Sequence, residues 1–130
     1  MLSHVHIGVQ EFEPALSFYS AVLAKLGWRL KFVEAERPWA GWQFGDRDRP
    51  LILVGTPYDK QSASPGNGQM VAFLAPSRDA VDAFYATALA NGGTSEGAPG
   101  LRPEYHSNYY GAYVRDPDGN KLCACCHEPA

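Results

Sequence analysis

The chain is written twice. Slid over itself by 66 residues, Phe18-Tyr19, Leu23, Ala24 and Gly27 fall on Phe84-Tyr85, Leu89, Ala90 and Gly93, five identities in ten positions with no gap. The segments before them coincide as well, "HVHIGV" (4–9) over "MVAFLA" (70–75). An internal repeat at one fixed offset limits the fold to a single unit used twice.

Each unit carries one helix. In "EPALSFYSAVLAKLG" the apolar residues Leu16, Tyr19, Leu23 and Leu26 recur at intervals of three and four and so share a face. Pro14 suits the first turn, where its missing N–H costs nothing, and Gly27 suits the exit. In "SRDAVDAFYATALANGG", Val81, Phe84 and Ala88 repeat the pattern, with Ser77 as the expected N-cap and Gly92-Gly93 as the exit. After the first helix come "WRLKFVEA", "WAGWQFG" and "PLILVG". After the second come a short segment near Thr94, a long loop "EGAPGLRPEYHS", the strand "NYYGAYVRD", the turn "DPDG" and the strand "NKLCACC". Each half reads strand–helix–strand–strand–strand. The predicted fold is α+β: one domain over 1–130, made of a first βαβββ module over about 1–56 and a second over about 69–130. The Gly-, Pro- and Ser-rich link "TPYDKQSASPGNG" is the seam between them.

The bulk numbers exclude several classes. Of 130 residues 45% are apolar and 19% charged, as in an ordinary globular protein, and the net charge is −3. With Arg and Lys scattered, a phosphate backbone has little to hold, so nucleic acid is not an expected partner. No apolar run nears the roughly 20 residues of a membrane span, and "MLSHVHIGVQ" does not read as a signal peptide. Three cysteines crowded into four positions do not make a disulfide framework, and the expected location is the cytoplasm.

The doubled βαβββ order, "FY" early in the helix, the opening "HVHIGV" and "DPDGN" before the last strand resemble the vicinal oxygen chelate superfamily. That group holds glyoxalase I, bleomycin-resistance proteins and extradiol dioxygenases. The resemblance covers essentially the whole chain. It implies two four-stranded sheets curled around a cleft lined by the first and last strands of each half, and a homodimer.

It also implies a position for a metal. In metal-using members one side chain from each of four strands converges on a divalent ion that chelates two substrate oxygens. Carried over, those positions are His4, Leu53, Met70 and Cys123. Leu53 cannot bind a metal, and Met70 is too soft for such an ion. "CACCH" places Cys123, Cys125 and His127 on one strand face. Alternate strand positions are roughly 6.6–7 Å apart, whereas zinc ligands sit about 2.0–2.3 Å from the ion, so a straight strand cannot supply three. A mixed site of His4, His6 and Cys123 lacks a fourth group. The expectation is no metal, no cofactor and no glyoxalase I activity.

The candidate ligand-binding residues are His4 and His6 on one face of the opening strand, Tyr105, His106 and Tyr109 in the long loop, Tyr113 by resemblance, and Cys123 on the closing strand. The loop "LRPEYHSNYYG" lacks apolar periodicity and reads as a binding lid rich in tyrosine. Trp39 and Trp42 fall on opposite strand faces, so at most one faces the cleft. The leading reading is a metal-independent, glyoxalase/bleomycin-resistance-like protein that binds a small organic molecule; whether it catalyses a reaction is open. The alternatives are a metal-dependent lyase, isomerase or dioxygenase with altered ligands, and a thiol-based enzyme or sensor using Cys123 or Cys125. No Lys or Arg beside those cysteines in sequence lowers a thiol pKa, and cysteines on a buried strand are usually inert.

Overall fold

The computed structural model describes residues 1–130. The first module runs β1 (His4–Gly8), α1 (Phe12–Ala24), β2 (Trp28–Glu34), β3 (Trp39–Phe44) and β4 (Leu51–Gly55). The second runs β5 (Val71–Leu74), α2 (Arg78–Ala90), β6 (Thr94–Leu101), β7 (Tyr110–Arg115) and β8 (Lys121–Cys126). Two sheets of the same topology result, β1-β4-β3-β2 and β5-β8-β7-β6, with the first strand parallel to the last and the other pairs antiparallel. The chain is therefore α+β, built of two βαβββ modules.

Register exposes the symmetry. In β1–β4, His6 is opposite Leu53; in β5–β8, Ala72 is opposite Cys123. The opening strands superimpose at the 66-residue offset, whereas the closing strands need 70, because the second module carries extra residues between helix and last strand.

Both helices pack on one side. Of the expected α1 face Tyr19, Leu23 and Leu26 are buried while Leu16 is only half-buried against the core, and Phe18 and Val22, outside that spacing, are buried beside them. In α2 the expected Val81, Phe84 and Ala88 are all buried. They share one apolar cluster with Val9, Trp42, Val54, Phe73, Val114 and Leu122, drawn from both modules. The helix ends follow local chemistry: Ser77 Oγ accepts the Ala80 N–H, and Gly27 exits α1 with φ +92°.

The second half departs from expectation in one place. The stretch 94–101, expected to be a short segment running into a long loop, is strand β6, with register shifts between Ser95 and Gly97 and between Gly97 and Gly100. The alternation that marks a strand is absent because β6 is a bulged edge strand with little to bury. The loop shrinks to residues 102–109. It is tied across its base by Arg102 N–H to Tyr109 O at 2.9 Å and Tyr109 N–H to His106 O at 3.2 Å, so it is a pinned turn rather than a long lid.

The repeated "FY" and the "DPDGN" turn meet across the modules. Tyr19 OH donates to Asp116 Oδ2 at 2.6 Å in the core. Asp116 also accepts the backbone N–H groups of Asp118 and Asn120 and the Asn120 Nδ2 amide. Asn120 Nδ2 reaches on to Gly8 O at 3.0 Å, and Asp118 Oδ1 accepts the Gln10 N–H at 2.9 Å. One turn of the second module thus clamps α1 and the exit of β1. Burial first, then the Asp116 charge, push the Tyr19 hydroxyl pKa well above its ordinary value, so it stays a donor. Its counterpart Tyr85 is half-buried and merely meets Ser95 Oγ at 2.7 Å. Tyr19→Phe is therefore expected to cost about 1.5–3 kcal/mol, the range for a hydrogen bond to a charged group. Tyr85→Phe should stay within about 0.5 kcal/mol. Urea unfolding of both variants reads the asymmetry; equal losses would refute the clamp.

Candidate functional site

Strand alternation sends Val5, Ile7 and Val9 toward the helices and turns His4 and His6 to the opposite face. Register brings Leu53 beside His6 and Gly41 beside Leu53. At Gly41 a Cβ would run into the Phe32 ring and press on Leu53, so the ring takes the space that a side chain there would fill. Phe32 meets Trp39 edge-on at 5.1 Å, and Trp39 Nε1–H donates to Glu34 Oε1 at 2.7 Å. Arg37 lies over the Trp39 ring, 3.8 Å from its centre. Arg37 and Trp39, with His4 and His6 of β1, Leu53 of β4 and the turn Pro57–Lys60, line an open hollow of about 800 Å³ whose wall also carries Glu36. The linker, expected only as a seam, supplies one wall of it.

The chain's two ion pairs are Arg29–Asp46 and Arg115–Glu96, so neither Arg37 nor Lys60 has a carboxylate partner. Burial first, then the charges of Arg37 and His4, hold the His6 pKa below its ordinary value, which leaves it neutral at pH 7. A narrower crevice of about 130 Å³ runs between the modules, lined by His6 and Gly8 of β1, Met70 and Val71, and Asn120 to Leu122.

The second module presents a different surface. On β8, Leu122, Ala124 and Cys126 enter the core, while Cys123 and Cys125 face the other way. Tyr109 OH lies 2.9 Å from Tyr113 OH and 3.7 Å from Cys123 Sγ. The Tyr109 ring occupies the space left by the missing Cβ of Gly111, the residue opposite Cys125. Tyr105 packs on Tyr109 at 4.9 Å, and the His106 and His127 rings meet edge to edge, nearly coplanar, with their centres 5.0 Å apart. Arg102 and Lys121 stand over the Tyr113 ring at 5.5 and 5.6 Å. The neighbouring Cys123 thiol, then Tyr109 and His127, pull the Cys125 thiol below its ordinary pKa against the opposing effect of burial. Cys123 is pushed up, because its thiol proton is shared with Cys125 and it is buried. Of the pair, Cys125 carries the negative charge more readily.

The structure thus gathers Tyr105, His106, Tyr109, Tyr113 and Cys123 into one cluster and puts His4 and His6 in the other module's hollow. No hydrogen bond or ring contact joins the two groups. Trp42 is in the core and Trp39 in the hollow, on opposite faces as alternation requires. Sequence reasoning left out Arg37 and Lys60, held Trp39 only as one of two residues that could face the cleft, Cys125 only as the thiol of an alternative reading, and His127 only as a metal-ligand candidate. What pulls the Cys125 thiol down includes Tyr109 and His127, not an adjacent Lys or Arg. Arg37 and Lys60 gave no sequence signal, since loop cations are common everywhere.

The four positions that resemblance assigns to a metal hold His4, Leu53, Met70 and Cys123, and the set does not fit one. Leu53 has no donor atom, Met70 offers only a soft thioether, and no group of three or more His, Cys, Asp or Glu side chains converges. The chemistry open to these surfaces is binding, hydrogen bonding and thiol reactivity.

Comparison with known proteins agrees with this architecture. The model of the Glyoxalase/Bleomycin resistance protein/Dioxygenase superfamily matches residues 1–124, and the chain belongs to that superfamily. A glyoxalase/bleomycin resistance protein from Albidiferax ferrireducens T118 is 38% identical, with TM-score 0.85, over 97% of this chain and 98% of that one. A putative glyoxalase from Bacillus halodurans is 22% identical (TM-score 0.71; 97% and 95% covered). A lactoylglutathione lyase from Agrobacterium tumefaciens is 18% identical (TM-score 0.66; 97% and 92% covered). These last two share the fold alone. No curated protein matches the chain.

Proposed function

We propose that the protein binds a small organic acid, an aromatic or apolar body bearing a carboxylate, in the hollow of the first module, and does so without a divalent metal. The observation that carries this reading is the pairing of Arg37 and Lys60, both without carboxylate partners, with a floor of Trp39 and Leu53. An apolar floor takes the ligand's body, and a few convergent polar groups orient it. Guanidinium is suited to a carboxylate because it offers two parallel N–H donors. His4 and His6 stand at the same wall and supply further hydrogen bonds. The binding unit in this reading is a homodimer, as the family resemblance implies, and sedimentation reads it on the same sample.

Calorimetric titration of chelator-treated protein with benzoate, phenylacetate and indoleacetate tests the proposal. At least one is expected to bind, with the same affinity after Zn or Mn is added. Arg37→Ala should weaken it at least about tenfold, through loss of the paired charge-assisted hydrogen bonds. Binding should tighten as pH falls. His6 is neutral at pH 7, and its lowered pKa means that it gains positive charge only below its ordinary titration range. Absence of any binder, binding that needs the metal, or an Arg37→Ala variant with unchanged affinity would each overturn the reading.

A further inference from the structure

A chain of three hydrogen bonds ends on Cys125. The Asn108 backbone N–H donates to His106 Nδ1 at 3.1 Å, His106 Nε2 lies 2.8 Å from His127 Nδ1, and His127 Nε2 lies 3.6 Å from Cys125 Sγ. A backbone amide can only donate, so His106 Nδ1 carries no proton. Neutral His106 then holds its proton on Nε2 and gives it to His127 Nδ1. That leaves the single proton of His127 on Nε2, aimed at the sulfur. One main-chain N–H thereby fixes both tautomers, and His127 faces Cys125 as a donor rather than as a base.

A sulfur that accepts such a bond is favoured as thiolate. Cys125 is also the most reachable of the three cysteines, at 6% exposure against 0% for Cys123 and 1% for Cys126. Its neighbours are apolar and aromatic: the Tyr109 ring over Gly111 and Leu74 opposite on β5, with exposed His127 hydrogen-bonded to the sulfur and exposed Tyr105 and His106 beyond it.

We propose that Cys125 is a nucleophilic thiolate that adds to α,β-unsaturated carbonyl compounds entering past His127 and Tyr105. The thiol proton leaves to solvent, since His127 cannot accept it. The sulfur forms a bond to the β-carbon, and the C=C π pair shifts to the carbonyl oxygen as an enolate. The Tyr109 and Tyr113 hydroxyls are the nearby donors to that oxygen, and the α-carbon then takes a proton from water. No oxidant, reductant or cofactor enters. His127 acts here as a positioning residue. The inference does not rest on carboxylate binding in the other module.

The test is adduct formation with N-ethylmaleimide and with cyclohexenone on the native protein at neutral pH, followed by intact mass and peptide mapping. One adduct, on Cys125, is expected first, and three maleimide adducts in urea. Cys125→Ser should remove the native adduct. His127→Ala should slow it about tenfold, and His127→Gln, whose amide N–H can still donate, should recover a large part of the rate. Circular dichroism checks that the variants fold; exposed His127 makes no contribution to the core. The proposal is overturned if the native protein forms no adduct while free glutathione reacts fully. It is equally overturned if Cys123 or Cys126 is modified first, or if His127→Ala reacts as fast as the parent.

Discussion

Asp116→Ala is expected to cost on the order of 3–5 kcal/mol, a large share of the roughly 5–15 kcal/mol by which such domains are stable. Asp116 is 3% exposed and its carboxylate accepts four hydrogen bonds: from Tyr19 OH, the backbone of Asp118 and Asn120, and the Asn120 amide. Removing it strands a buried phenol and frees the turn that holds Gly8 and Gln10. Each donor left unpaired in the core costs about 1–3 kcal/mol, offset where water can enter. Asp116→Asn keeps one acceptor oxygen but sets its own N–H groups against other donors, so an intermediate loss is expected. Urea unfolding followed by circular dichroism measures both. A loss below about 1 kcal/mol for Asp116→Ala would falsify the claim that this turn clamps the modules.

Phe18→Ala should cost about 3–5 kcal/mol through the cavity it leaves. The ring is fully buried, stands edge-on to Tyr19 at 5.1 Å, and presses against Gly93 of the second module, where an added Cβ would come within 2.9 Å of it. Because the apolar cluster is continuous across both modules, damage in the first should lower the stability of the second equally. A single transition is expected, with tyrosine fluorescence and circular dichroism moving together. Two separated transitions would show that the modules unfold independently and that the shared core does not couple them.

The same pair of residues shows how far the sequence can be read. "FY" recurs at one offset, and Phe18 and Phe84 are both buried without exposure. The tyrosines beside them part company, since Tyr19 finds Asp116, 97 residues on, and Tyr85 finds only Ser95. Equal local patterns fixed equal helices; they carried nothing about a partner that far along the chain. β6 was hidden for the converse reason. A bulged, exposed edge strand has no buried face, and alternation is the only local mark a strand leaves.

The candidate site divides along the same line. That Cys123, Cys125 and His127 share a strand face follows from period two alone. That His106, 21 residues away, completes a relay onto Cys125 depends on where a pinned turn places one imidazole. The hollow of the first module combines a strand wall, legible as His4 and His6, with Arg37, Pro57 and Lys60 from connections whose path no periodicity predicts.

By itself the sequence determined the doubled βαβββ order, the helices and their buried faces, and the missing metal donors, because spacing, turn chemistry and residue type are local properties. Only the tertiary structure decided which tyrosine becomes a clamp, which cations stand unpaired over an aromatic floor, and which sulfur faces a histidine proton. Those are contacts between segments far apart in the chain. Their energies depend on distance and burial, which exist only once the core has closed.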